Sequence, residues 1–82
     1  MENNMSEFET KAFTEIVDVI AGRLDCDKDT ITAESRFVDI GIDSLDTVEI
    51  LMDLEDRLEM TIEVDQKIAT VGELAAFIAS KH

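Results

Sequence analysis

The sequence predicts an all-α fold: a four-helix bundle of three longer helices and one short helix, with a long loop between helices one and two. Three observations predict it. Among 82 residues there is no Pro and there are only three Gly, so helix interiors meet few obstacles. Apolar residues recur three and four positions apart in three separate segments, the spacing of a helix face. Hydrophobic residues make up 45% of the chain, enough for a packed core and too many for an acidic disordered tail. At this length a single domain over residues 1–82 is expected.

The first helix opens on Ser6 and Glu9, which fit an S-x-x-E capping box. Phe8, Ala12, Phe13, Ile16, Val17 and Ile20 then follow at helical spacing, and Gly22 is the expected stop. Residues 22–43 hold the turn formers Asp25, Asp27, Asp29 and Thr30, with Ile31, Phe37, Ile40 and Ile42 between them. A loop this long needs fastening, and four spaced apolar side chains can pin it across a core. It ends in Gly41-Ile42-Asp43-Ser44, a tight approach to a new helix.

Helix two is expected from about Ser44 to about Leu58. At about 100° per residue, Thr47, Ile50, Leu51, Leu54 and Leu58 share one broad apolar face. Nearly opposite lies a narrower stripe of Leu45, Val48 and Met52, bordered by Asp46, Glu49, Asp53 and Asp56. A simple amphipathic helix needs one apolar face, and this one has two. Beyond it, residues 59–64 form a loop carrying Met60, Ile62 and Val64, and residues 65–69 are the expected short helix. Thr70 with Glu73 repeats the capping-box pattern, and Val71, Leu74, Ala75, Phe77 and Ile78 form the apolar side of the last helix.

Charge narrows the range of functions. Twenty acidic and 7 basic residues give a formal net charge of −13. A phosphate backbone rewards Lys/Arg clusters, so nucleic-acid binding is disfavoured, and an anionic membrane repels the same surface. The longest apolar run, Leu74 to Ala79, is far short of the ~20 residues a bilayer span needs, so no membrane insertion is expected. The first five residues lack the basic and apolar regions of a secretory signal, and the single Cys26 fits a reducing compartment. A cytoplasmic location is expected.

The alternating Asp25, Asp27 and Asp29 suggest a calcium loop, but position six is Thr30 where an EF-hand has Gly, and position twelve is Arg36 where it has Glu. An acidic solvated turn is the better reading, and no metal site is expected. Cys26 stands among aspartates that oppose its ionisation, and the lone His82 is at the terminus. With no base, metal cluster or glycine-rich phosphate loop, the sequence carries no self-contained active site. The acidic ridge of helix two says more. Residues 39–65 hold ten of the 20 acids against one base, Arg57. Like charges three or four apart cost helix stability, so the ridge with its apolar stripe reads as a docking patch for a basic protein surface. Ser44 reads as the N-cap of helix two, and a helix start also suits an attached phosphate.

The run from Phe37 to Glu49, with Asp43-Ser44-Leu45 at its centre, resembles the signature of acyl carrier proteins. The resemblance extends over nearly the whole chain, because the helices and long loop fall in that family's order and lengths. It implies that Ser44 carries 4′-phosphopantetheine, transferred from coenzyme A by a phosphopantetheinyl transferase. Acyl groups would ride as thioesters on the arm's thiol, making the protein a carrier and not an enzyme. It implies further that Asp43, Leu45, Asp46, Val48, Glu49, Met52, Asp53 and Asp56 line the face on which basic patches of acyl-processing enzymes dock. The acyl chain would tuck between helices against Ile50, Leu54, Ile62 and Ile68. The resemblance is to the free-standing, type II members, and a monomer is expected.

Departures bear on the pathway. Many relatives have Pro after the position of Ile62, where this chain has Glu63, and a Gly and an aliphatic residue where it has Asp25-Cys26. Aminoacyl carriers often have Gly-Gly before the serine, and Gly41-Ile42 argues against that subclass. Fatty-acid synthesis, a D-alanyl or natural-product pathway, and an unmodified acidic helical adaptor stay open as alternatives.

Overall fold

A computed structural model of the chain describes residues 7–64 and 67–81. Among them are three α-helices, α1 (Glu7–Leu24), α2 (Ser44–Leu58) and α3 (Val71–Lys81), with a short 3₁₀ turn at Lys28–Thr30. The described residues form an all-helical fold with no strand, only one isolated bridge between Arg36 and Thr70.

In α1 the predicted face is buried: Ala12, Ile16, Val17 and Ile20 join Val19 and Ala21 in the core, while Phe8 and Phe13 pack against it half-buried. The helix does not stop at Gly22. It runs to Leu24 and turns at Asp25, whose φ of 56° is left-handed, with the Cys26 N–H donating to the Ala21 carbonyl at 3.1 Å. Asp25 thus does the turning for which helices commonly use Gly, since a short polar side chain tolerates this conformation. The expected cap at Ser6 lies outside the described residues.

The long loop is fastened as its apolar residues predict: Ile31, Phe37 and Ile42 are buried and Ile40 is half-buried. It also pairs with the start of α3. Phe37 N–H donates to the Ala69 carbonyl at 3.0 Å, Val71 N–H to Ser35 at 3.0 Å and Gly72 N–H to Ala33 at 2.8 Å. At Gly72 a Cβ would sit 2.9 Å from the Ala33 carbonyl oxygen, so only glycine permits this approach.

The same pairing accounts for a difference from the sequence reading. A short helix was expected over 65–69, yet Lys67, Ile68 and Ala69 are not helical, and 65–66 lie outside the described residues. Ala69 donates its N–H to Glu73 Oε1 at 2.8 Å and accepts from Phe37, so its backbone groups serve the loop and the helix cap. Glu73 N–H in turn donates to Thr70 Oγ1 at 3.1 Å, one half of the expected capping box, while the Glu73 carboxylate reaches one residue past Thr70, to Ala69.

Three residues of the broad α2 face are half-buried (Thr47, Leu51 and Leu58), and Ile50 and Leu54 are fully buried. α1 is the central helix, packing on both α2 and α3, whereas no Cα of α2 lies within 8 Å of one in α3. The loop side chains Phe37, Val64 and Ile68 line the gap between α2 and α3. The candidate site opens there.

Candidate functional site

Residues 36–42 form successive turns that deliver the chain to α2. Asp39 and Ile40 N–H both donate to the Arg36 carbonyl, at 3.0 and 3.2 Å, and Ile42 N–H donates to Phe37 at 2.9 Å. Gly41 supplies the reversal with a φ of 86°, a conformation that strains residues with a Cβ.

The sequence reading placed Ser44 at the N-cap, and the structure gives that role to Asp43. Its backbone is extended and its Oδ1 accepts from Asp46 N–H at 2.9 Å. Thr47 reinforces the turn, donating from both N–H and Oγ1 to the Asp43 carbonyl, at 3.0 and 2.9 Å. Ser44 becomes the first helical residue. It is exposed, and among the described residues its hydroxyl makes no hydrogen bond. With capping assigned to its neighbour, this hydroxyl is free to be modified, and an anion attached to it would meet the positive end of the α2 dipole. The residues present therefore fit a phosphate-linked arm.

Two openings share Ser44. One, of about 260 Å³, lies in the gap between α2 and α3 and is lined by Phe37, Ser44, Thr47, Leu51, Val64, Ile68 and Leu74. The other, of about 420 Å³, brings Arg36, Val38, Ile42, Asp43, Lys67 and Ala69 to the same serine, together with Phe37, Thr47 and Ile68. Of the four residues expected against an acyl chain, Ile68 lines both openings. Ile50, Leu54 and Ile62 are buried in the core. Phe37, Leu51, Val64 and Leu74 were missed as lining: helical periodicity marks Leu51 and Leu74 as core, Phe37 and Val64 are apolar loop residues, and neither pattern shows that the core is open beside them.

The second stripe of α2 is exposed. Leu45, Val48 and Met52 keep 69%, 53% and 61% of their surface, and Val38 of the preceding loop keeps 73%. Burying such a side chain is worth about 1.5–3 kcal/mol, so these four are apolar surface that folding does not use. Asp43, Asp46, Glu49, Asp53 and Asp56 edge it, but not as one uniform ridge. Arg23, from the last turn of α1, lies 3.3 Å from Asp46 Oδ1 and hydrogen-bonds Glu49 Oε1. The two carboxylates hold its guanidinium above its ordinary pKa, Glu49 contributing most. Asp53 and Asp56 have no cation partner among the described residues.

Other charges are structural. Arg57 reaches across to α1, 3.1 Å from Glu15 Oε1 and 2.6 Å from Asp18 Oδ2, and Lys28 meets Asp18 at 2.7 Å. Hydrogen bonds from Lys28 and then Arg57 hold the Asp18 carboxyl below its usual range. Glu55 accepts from Ile62 N–H at 2.8 Å and so ties down the loop after α2. Around residues 25–30 the 3₁₀ turn is closed by Thr30 Oγ1 donating to the Asp27 carbonyl at 2.7 Å, and Cys26 is exposed. No group of three or more His, Cys, Asp or Glu that could hold a metal ion occurs among the described residues, and no helix among them is long and apolar enough to cross a membrane.

Comparison with known proteins gives a consistent result. A family described as the phosphopantetheine attachment site matches residues 14–78. An acyl carrier protein from an Exiguobacterium species is 43% identical over 70 residues, covering 82% of this chain and 89% of the relative. One from a Picosynechococcus species is 43% identical over 72 residues, 84% of this chain and 89% of the relative. One from Clostridium perfringens is 44% identical over 69 residues, 80% of this chain and 91% of the relative.

Proposed function

The chain belongs to the acyl carrier protein family, and from that premise we propose that Ser44 carries its 4′-phosphopantetheine arm. The observation that carries the assignment is the free, exposed hydroxyl at the first position of α2, beside an Asp43 that has taken over the cap. When attached, the arm supplies a thiol on which acyl groups are held as thioesters. The chain is a carrier and not an enzyme.

Each part of the surface then has a task. Gly41 and the turns from residue 36 hold Ser44 outward, where a phosphopantetheinyl transferase can reach it. The exposed Leu45, Val48 and Met52, with Asp43, Asp46, Glu49, Asp53 and Asp56 at their edge, form the docking face for basic patches of acyl-processing enzymes. Opposite charge steers such encounters, and a small interface lets the carrier exchange rapidly between enzymes. Tethering raises the effective concentration of cargo at each stop. The gap between α2 and α3 is the shelter for the acyl chain, with Ile68, Leu51, Val64 and Leu74 on its walls and Ile50, Leu54 and Ile62 in the core behind. At about 260 Å³ it is below the ~300–1,000 Å³ of ordinary ligand pockets, so longer chains must spread the helices. We place the carrier in the cytoplasm as a monomer serving fatty-acid or related biosynthesis.

The test is the intact mass of the protein after incubation with coenzyme A and a broad-specificity phosphopantetheinyl transferase. The expected result is one added arm on the wild-type protein and none on Ser44→Ala. A wild-type protein that gains no mass, or a variant that still does, would overturn the assignment.

A further inference from the structure

The docking face contains a cation of its own. Of the seven basic residues, Lys28 and Arg57 are engaged with Glu15 and Asp18. Arg57 lies one turn beyond Asp53 yet turns away from the ridge to α1. Arg23 does the reverse: it reaches from α1 onto the ridge and spans Asp46 and Glu49. The ridge is therefore divided. Its half nearest Ser44 is half-neutralised from within, one guanidinium against two carboxylates, and its far half, Asp53 and Asp56, has no cation partner among the described residues.

We propose that Arg23 is an internal competitor for the docking face: a basic partner engages Asp53 and Asp56 first and must take Asp46 and Glu49 over from Arg23. This rests on the docking role proposed above. The geometry sets the sign. A partner cation brought to Asp46 or Glu49 meets carboxylates already paired, with a guanidinium 3.3 Å from one of them. Exposure sets the scale. The side chains of Arg23, Asp46 and Glu49 keep 31%, 36% and 51% of their surface, and ion pairs this exposed are weak enough for a partner to displace. Such a clamp lowers affinity without blocking the face, which suits a carrier that must leave each enzyme quickly. It also selects against partners whose only attraction is charge close to Ser44.

The experiment is steady-state arm transfer from coenzyme A by a broad-specificity phosphopantetheinyl transferase, with the full chain as the varied substrate. Arg23→Gln is compared with Lys28→Gln, which removes the same charge from a pair off the ridge. Arg23→Gln is expected to lower the KM for the carrier about two- to five-fold with kcat unchanged. Lys28→Gln should change it by less than half as much, and Arg23→Lys should bring it back towards the wild-type value. Replacing Asp46 and Glu49 together by Asn and Gln should raise KM more in the Arg23→Gln background than in the wild type. Equal effects of Arg23→Gln and Lys28→Gln would reduce the residue to net charge and overturn the proposal. So would a raised KM in Arg23→Gln, or additivity with the Asp46/Glu49 pair. Failure of the wild-type chain to accept any arm would overturn the carrier reading, and this inference with it.

Discussion

The two faces of α2 are built from similar side chains and do opposite things. On one, Ile50 and Leu54 are 1% and 0% exposed and hold the helix to α1; on the other, Leu45, Val48 and Met52 are more than half exposed. Hydrophobicity alone does not distinguish them. What does is the company each keeps: the buried face meets other apolar side chains, and the exposed stripe is edged by carboxylates that cannot be buried unpaired. On the proposed function, each face answers to a different demand, one for packing and one for a partner that is not part of the chain.

The most forceful way to break this comparison is to truncate both faces. Leu54→Ala should cost about 2–5 kcal/mol of stability, the range for emptying a well-packed aliphatic site. Val48→Ala should stay within about 0.5 kcal/mol while weakening transfer of the arm. Chemical denaturation of both variants checks the first part, and equal losses would mean that the stripe is packed after all.

A second test changes how the faces are aimed. Gly41→Ala puts a side chain at a φ of 86° and should cost about 1–2 kcal/mol. At this size about 1 kcal/mol corresponds to about 4–8 °C in a thermal melt. Gly22→Ala, inside α1 with nothing near its Cβ, should instead hold or raise the melting temperature.

The comparison also exposes what the sequence could and could not tell. All three long helices were legible because each has an apolar face at helical spacing, and α2 matched to its first and last residue. The cap of α2 was misplaced by one residue because Asp and Ser are equally good caps, and only the Asp43 to Asp46 bond decides between them. The region 65–69 read as a short helix because the bonds that hold Ala69 come from Phe37 and Glu73, and pairing with Phe37 has no local signature. The division of the acidic ridge was hidden for the same reason. Nothing near Arg23 in the sequence shows that it faces Asp46 and Glu49.

Charge sharpens the contrast more gently. With a net charge of −13 and seven basic residues against 20 acidic ones, repulsion should make the fold less stable at low ionic strength. Raising salt from about 0.01 to about 0.1 M, which shortens the Debye length from about 30 to about 10 Å, should raise the melting temperature by a few degrees. A flat salt series would mean that repulsion is not limiting.

The smallest effect separates a structural acid from one of the proposed docking face. Asp18 has its pKa lowered in the folded state, so the stability it lends is present above the ordinary carboxylate range and is lost as pH falls through its folded value. Asp18→Asn should therefore melt lower than the wild type at neutral pH, and the gap should begin to narrow as pH falls below about 4. Asp53→Asn, which removes an unpaired charge, should melt at or above the wild-type temperature. Thermal melts over a pH series from 7 downward decide both.

The central claim is that Ser44, released from capping by Asp43, is the attachment point. Cleavage after Arg36 and Arg57 releases residues 37–57 as one peptide, whose only hydroxyls are those of Ser44 and Thr47. After treatment with coenzyme A and a phosphopantetheinyl transferase, fragmentation of this peptide should place the whole added mass on Ser44. An arm found on Thr47, or on any other peptide, would contradict the account.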